Sequence, residues 1–321
     1  MINRGNDSFW DGEWGEAEMA AAADQTSQYE VIAKLWQYGH LRRPDRPNNI
    51  RAEDLPKLTL CSPDVREGLD SFLQFNGYEL RADANGGLDR LAIGAVMQPR
   101  CGCNDFEGVG DFDSYADELA AMTGSGSWPA NCDPAFPGRH TFAVQFDFRG
   151  MPSYLGSPED PNSPFSQAWG LCRAAYADMG LAMLVKKSGA NCQVTWQRGA
   201  GWLGLATVGQ RQQCNSRVTA KFDNRYQPSA LVWQWARLFA HEFGHNMGFR
   251  HLSSGIMRAM LSSGEFLARA WRGDAGESRM RSWFGGDPVP LGPLPGPGPT
   301  PGPGPTPNPG GRFDWQGARL A

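Results

Sequence analysis

The spacing of apolar residues divides the chain into a helical first part and a mixed second part. Tyr29, Ile32, Ala33, Leu35 and Trp36 recur at helical spacing and predict a helix that stops at Gly39. A polar, proline-broken link over 42–47 follows it. Val65, Leu69, Phe72 and Leu73 give a second helix one apolar face. Ser62 can cap that helix, and Pro63 suits a first turn whose N–H has no partner to lose. A third, short helix is predicted over 88–97. Residues 1–26 are acidic and rich in Gly and Ala, so a disordered lead-in is expected there.

From residue 141 the period shortens. Residues 141–148 alternate and predict a strand, and shorter strands are predicted at 183–186, 193–196, 201–207 and 218–223. A helix over 167–179 carries Trp169, Leu171, Cys172 and Tyr176. A longer one over 229–247 has Leu231, Trp235, Leu238 and Phe239 on its buried face, and a last helix is predicted over 263–285. Residues 104–139 are loop-like, and such a segment is a natural place for proteolytic cutting. Residues 287–311 repeat Gly-Pro-Gly-Pro-Thr-Pro and read as a semi-rigid linker, because that composition cannot form a core. The tail 312–321 is too short for a domain. Either a further module belongs after it or the tail itself is an anchor.

Composition narrows the choice. A chain of 321 residues with 40% apolar content can build one large domain or two modest ones. The net charge of −4, with no basic run, argues against a nucleic-acid partner. No apolar stretch approaches the roughly 20 residues of a membrane-spanning helix. The N-terminus lacks the apolar core of a signal peptide. The seven cysteines are an odd number, so at least one is free or linked to another chain.

One stretch carries the chemistry. Residues 241–251 read His-Glu-Phe-Gly-His-Asn-Met-Gly-Phe-Arg-His. His241 and His245, four apart on a helix, share a face and can reach one ion. Glu242 between them is placed to take a proton from the attacking water. Gly248 permits a left-handed turn that brings His251 back to the same ion. Three neutral imidazoles and one open position suit a catalytic zinc. Three of the five histidines fall in this register.

The pattern resembles the metzincin zinc peptidases, with Met257 in the methionine-bearing turn of that class. Pro99-Arg100-Cys101-Gly102 resembles the cysteine switch that ends the propeptide of matrix metalloproteinases, the matrixins. The run before it, including 69–78 and 87–89, resembles their propeptide, whose fold peptidoglycan-binding modules share. Residues 274–285 resemble the matrixin C-terminal helix. The resemblance implies an α+β fold: a small three-helix propeptide at 27–103, then a metzincin catalytic domain at 104–286. That domain has a twisted mixed sheet, an active-site helix and a C-terminal helix. It further implies a secreted zymogen that hydrolyses proteins or peptides, with zinc on His241, His245 and His251, and Cys101 as a fourth ligand in the latent form; a monomer is expected.

Other roles follow from the resemblance. Leu203, Gly204, Leu205 and Ala206 would form the edge strand that binds the substrate backbone, as a glycine-rich strand with free edge groups can. Met257 would support the site from below. Asp274 is either a helix cap or also a partner for a newly freed N-terminus. The sequence departs from the family at Cys103-Asn104, where a second thiol leaves open which cysteine meets the zinc. If one has that role, the other six can pair. Matrixins also hold a structural zinc on histidines upstream of the site helix. Residues 141–240 have none, so one zinc is expected. Loop oxygens near Asp223 or along 157–162 are the kind of donor calcium takes. The competing reading is a peptidoglycan-binding protein, or a hydrolase of cell-wall peptides.

Overall fold

The computed structural model describes residues 16–42, 50–78, 90–98, 100–106, 141–186, 188–199, 203–207, 216–222, 232–252, 254–260 and 265–291. The expected cleavage loop beyond residue 106, the linker beyond residue 291, and Asp223, Leu231, Cys132 and Cys214 lie outside them.

The first part is helical. Helices α1 (Glu16–Ala23), α2 (Gln28–Gln37), α3 (Pro63–Phe75) and α4 (Arg90–Met97) surround one apolar cluster, with a 3₁₀ turn at Ala52–Lys57. Helix α1 corrects the expected disordered lead-in from Glu16 onward. It is held because Met19 and Ala22 are buried, and because Gly94 of α4 lets the backbones meet. A Cβ on Gly94 would stand 2.2 Å from the carbonyl oxygen of Met19. Helix α2 opens on a reciprocal cap, Ser27 with Glu30. It buries Val31, Ile32 and Leu35, whereas Tyr29, expected on the apolar face, is 51% exposed. Gly39 ends the turn after α2 with φ +92°. Ser62 precedes α3 but does not cap it by its side chain. Its hydroxyl instead accepts the N–H of Thr59 at 3.0 Å.

The second part is a five-stranded sheet with helices against it. Strands β1 (Thr141–Phe146), β2 (Ala182–Val185), β3 (Cys192–Arg198), β4 (Gly204–Ala206) and β5 (Ser216–Phe222) stand in the order β2-β1-β3-β5-β4. The first four in that order run parallel, and β4 is antiparallel to β5 at the edge. Helix α5 (Pro164–Ala177) starts three residues earlier than expected, because the Ser163 hydroxyl caps it and Pro164 fits its first turn. Helix α6 (Val232–Met247) packs along α5, and the Tyr176 hydroxyl donates to the Ala240 carbonyl at 2.6 Å. Phe142, Phe146, Phe165, Trp169, Trp235, Phe239 and Phe243 fill the space between helices and sheet. Fully burying each such ring contributes about 1.5–3 kcal/mol.

Two expectations are corrected here. The last helix is α7, Glu277–Phe284, and not the whole of 263–285. The residues described before it form turns, and Gly273 at φ +75° and Gly276 at the cap position interrupt a helix. The cysteines described are all unbonded. Cys172 and Cys192 are each fully buried and fill core space as small apolar side chains.

Candidate metal centre

Helix α6 carries His241 and His245 one turn apart, both fully buried. Its end is sharp: Gly248 takes φ +111°, and the Phe249 N–H returns to the Gly244 carbonyl at 3.1 Å. That turn brings His251 back beside the helix. The Nε2 atoms of His241 and His245 are 3.1 Å apart, and those of His245 and His251 are 3.2 Å apart. Cys101 Sγ lies 3.6 Å from His245 Nε2. The four donors lie within 4.8 Å of one another and all four residues are buried.

These spacings fit a tetrahedral zinc. Nitrogens about 2.0–2.1 Å from such an ion stand about 3.3 Å apart, and a thiolate at about 2.3 Å stands about 3.6 Å from a nitrogen. The tautomers fit too. The Nδ1–H of His241 donates to the Ile256 carbonyl at 2.7 Å, and that of His245 to the Phe249 carbonyl at 2.7 Å. His251 Nδ1 donates to Asp105 Oδ1 at 2.5 Å. Each Nε2 therefore faces the common point with its lone pair. Burial, helped by the other two imidazoles, lowers the pKa of His241, and burial lowers that of His251 to about 4 although Asp105 opposes it. Both are then neutral, as ligands must be. His245 is pushed up to about 9; burial pulls it down, but Cys103 and Glu242 outweigh that pull. A cation at the centre meets the same demand.

Glu242 is fully buried, and neither carboxylate oxygen has a hydrogen-bond partner. Burial, with Cys103 adding to it, pushes its carboxyl well above the usual carboxylate range. It faces β4: a Cβ on Gly204 would lie 2.1 Å from Glu242 Oε1. Met257 sits beneath the helix, where a Cβ on Gly244 would meet its sulfur at 2.3 Å. Asp274, expected as a helix cap, does another task. Its carboxylate accepts the N–H of Ile256 at 2.7 Å and of Gly276 at 2.8 Å, so it ties the methionine turn to the chain before α7. Asn246, which the sequence did not single out, donates to the Thr207 and Arg217 carbonyls at 2.9 and 3.3 Å and docks α6 to the sheet edge.

Residues 100–103 lie along the outer edge of β4. The Leu203 N–H donates to the Arg100 carbonyl at 2.9 Å and the Gly102 N–H to the Gly204 carbonyl at 2.8 Å. The Ala206 N–H points to Cys103 Sγ at 3.3 Å. Leu203, just before the strand, is buried, and Leu205 on it is 39% exposed. From the helical module, the Gln37 amide donates to the Gly102 carbonyl at 3.0 Å, and the Arg100 guanidinium stacks 4.3 Å from the Tyr38 ring centre.

Part of the chain matches a known family model. Residues 153–252 match the model of the metallo-peptidase family M12B, reprolysin-like. No curated protein matches. Two solved structures of myroilysin are similar. One is 19% identical with a TM-score of 0.25, covering 38% of this chain and 50% of that one. The other is 18% identical with a TM-score of 0.26, covering 46% and 53%. The chain thus spans about half the length of these solved chains. The family match, running from ahead of α5 to just past His251, supports a metallopeptidase of the metzincin class.

Proposed function

We propose that the chain is a latent zinc endopeptidase of matrixin type, secreted and acting on proteins or peptides. One observation carries the reading: three imidazole Nε2 atoms converge beside a buried carboxylate whose oxygens have no partner. Zinc held by His241, His245 and His251 would supply Lewis acidity and an activated water. Glu242 takes the proton of the attacking water and passes it to the leaving amine. Its desolvated carboxylate is a stronger base than an exposed one. The edge of β4 offers the backbone groups of Leu203, Gly204 and Ala206 to an extended peptide. In the uncleaved chain residues 100–103 hold those groups, and the Cys101 thiolate fills the fourth position. Cutting within 107–140 frees both.

The test is Glu242→Ala in chain freed of residues 1–106. Zinc content and fold should stay as in the parent, and hydrolysis should fall by at least about 10²–10⁴-fold. Activity within tenfold of the parent would remove Glu242 from the mechanism.

A further inference from the structure

Two of the three imidazoles are oriented by the module that carries them, through the carbonyls of Ile256 and Phe249. The third is not. His251 Nδ1 donates to Asp105, which the sequence assigns to the cleavable stretch 104–139 but which the structure seats on the helical module, so that a cut beyond it releases it with that module. The Asp105 carboxylate is fully enclosed. Arg100 shares its Oδ1, and His40 Nε2 donates to its Oδ2 at 2.8 Å. The second nitrogen of His40 faces the Ser71 hydroxyl of α3 at 3.0 Å, and the Asp105 N–H donates to the Tyr38 carbonyl at 2.9 Å. A hydrogen-bonded line therefore runs from the helical module to the ring of His251.

We propose that Asp105 is a positioning residue of the metal centre, fixing the ring and tautomer of His251 from the helical module, so that the uncleaved chain binds zinc more tightly than the cleaved one. The inference rests on the zinc-peptidase reading for the identity of the ion. Its physical basis is general. A carboxylate that accepts the other N–H of a ligating histidine fixes its orientation and raises its basicity, and losing such a partner costs about 10–100-fold in metal affinity. The helical module then has two separate holds on the centre: Cys101 occupies the open position, and Asp105 braces a permanent ligand. Releasing the module withdraws both.

The two holds separate in a Cys101→Ser background that also carries Glu242→Ala, where no thiolate from residue 101 contributes and the chain cannot cut itself. In that uncleaved chain, zinc affinity is measured by competition with a chromogenic chelator, and the unfolding midpoint of the metal-free protein is measured alongside. Adding Asp105→Ala should weaken zinc binding by about 10–100-fold. Adding His40→Ala instead, which leaves Asp105 on His251, should weaken it far less while lowering the midpoint. Adding Asp105→Asn, which keeps the shape and removes the charge, should weaken zinc binding several-fold and covers the case in which the alanine variant does not fold. Zinc affinity unchanged in a folded Asp105 variant overturns the inference, as does an equal loss in His40→Ala. Zinc absent from that doubly substituted parent itself would instead defeat the zinc-peptidase reading.

Discussion

At the scale of single residues, space at the centre is set by two glycines as much as by its ligands. Gly204 faces Glu242 so closely that any side chain there displaces the carboxylate, and Gly244 leaves room for the sulfur of Met257. Gly204→Ala should therefore keep zinc and fold yet lower kcat at least tenfold, toward the loss of about 10²–10⁴-fold that follows removal of a general base. Steady-state kinetics at matched zinc content check this, and an unchanged kcat would show that Glu242 is not confined by that approach. The clustering of the three histidines and the turn at Gly248 were legible in the sequence, because a metal site on a helix imposes a register along the chain. Gly244, Asn246 and Asp105 were not, and of Gly204 only its place on an edge strand was, not its approach to Glu242. Their roles depend on what another segment places against them, and neither spacing nor composition carries that.

At the scale of elements, the site helix is braced from a segment distant in sequence. Asp274 holds the Ile256 N–H, and the Ile256 carbonyl holds Nδ1 of His241. The carboxylate also meets Gly276, so the stretch before α7 and the methionine turn are joined through one side chain. Asp274→Ala leaves two backbone donors without it and should cost roughly 1–3 kcal/mol of stability. Denaturant unfolding measures this, and an unchanged midpoint would show that water replaces the carboxylate without loss. Among the described residues, the pattern along the chain located strands β1, β2, β3 and β5 and the helices α2 to α6, whereas β4 was placed by its likeness to a matrixin edge strand. Helix α1 escaped because its segment is Ala-rich and its hold on the core is confined to Met19 and Ala22. The last helix was drawn too long because an interrupted run of turns before it still places Phe266 and Trp271 in the core.

At the scale of the whole molecule, the proposed latency turns on which thiol would keep the chain silent. Both cysteines of the Cys-Gly-Cys run are buried at the centre, and the sequence did not choose between them. Their surroundings differ. Cys101 Sγ is 3.6 Å from His245 Nε2, within the cluster of ligands, whereas Cys103 Sγ lies against the backbone of Ala206, 3.3 Å from its nitrogen and 3.6 Å from its oxygen. On the proposed reading Cys101 binds the ion, and Cys103, whose thiol also meets His245, holds the segment on β4. Because the thiol is tethered, its effective concentration is on the order of millimolar or higher, so a modest intrinsic affinity suffices to close the site. Uncleaved Cys101→Ser should hydrolyse a quenched peptide and cut itself within 107–140. Uncleaved Cys103→Ser should stay silent, since Cys101 still reaches the centre, but should be cut and released more readily by an added protease. Intact mass shows whether each sample is uncleaved when assayed. Activity released by Cys103→Ser alone would assign the ligand to the other thiol, and silence in both variants would mean that burial of the β4 edge, and not a thiolate, keeps the enzyme latent.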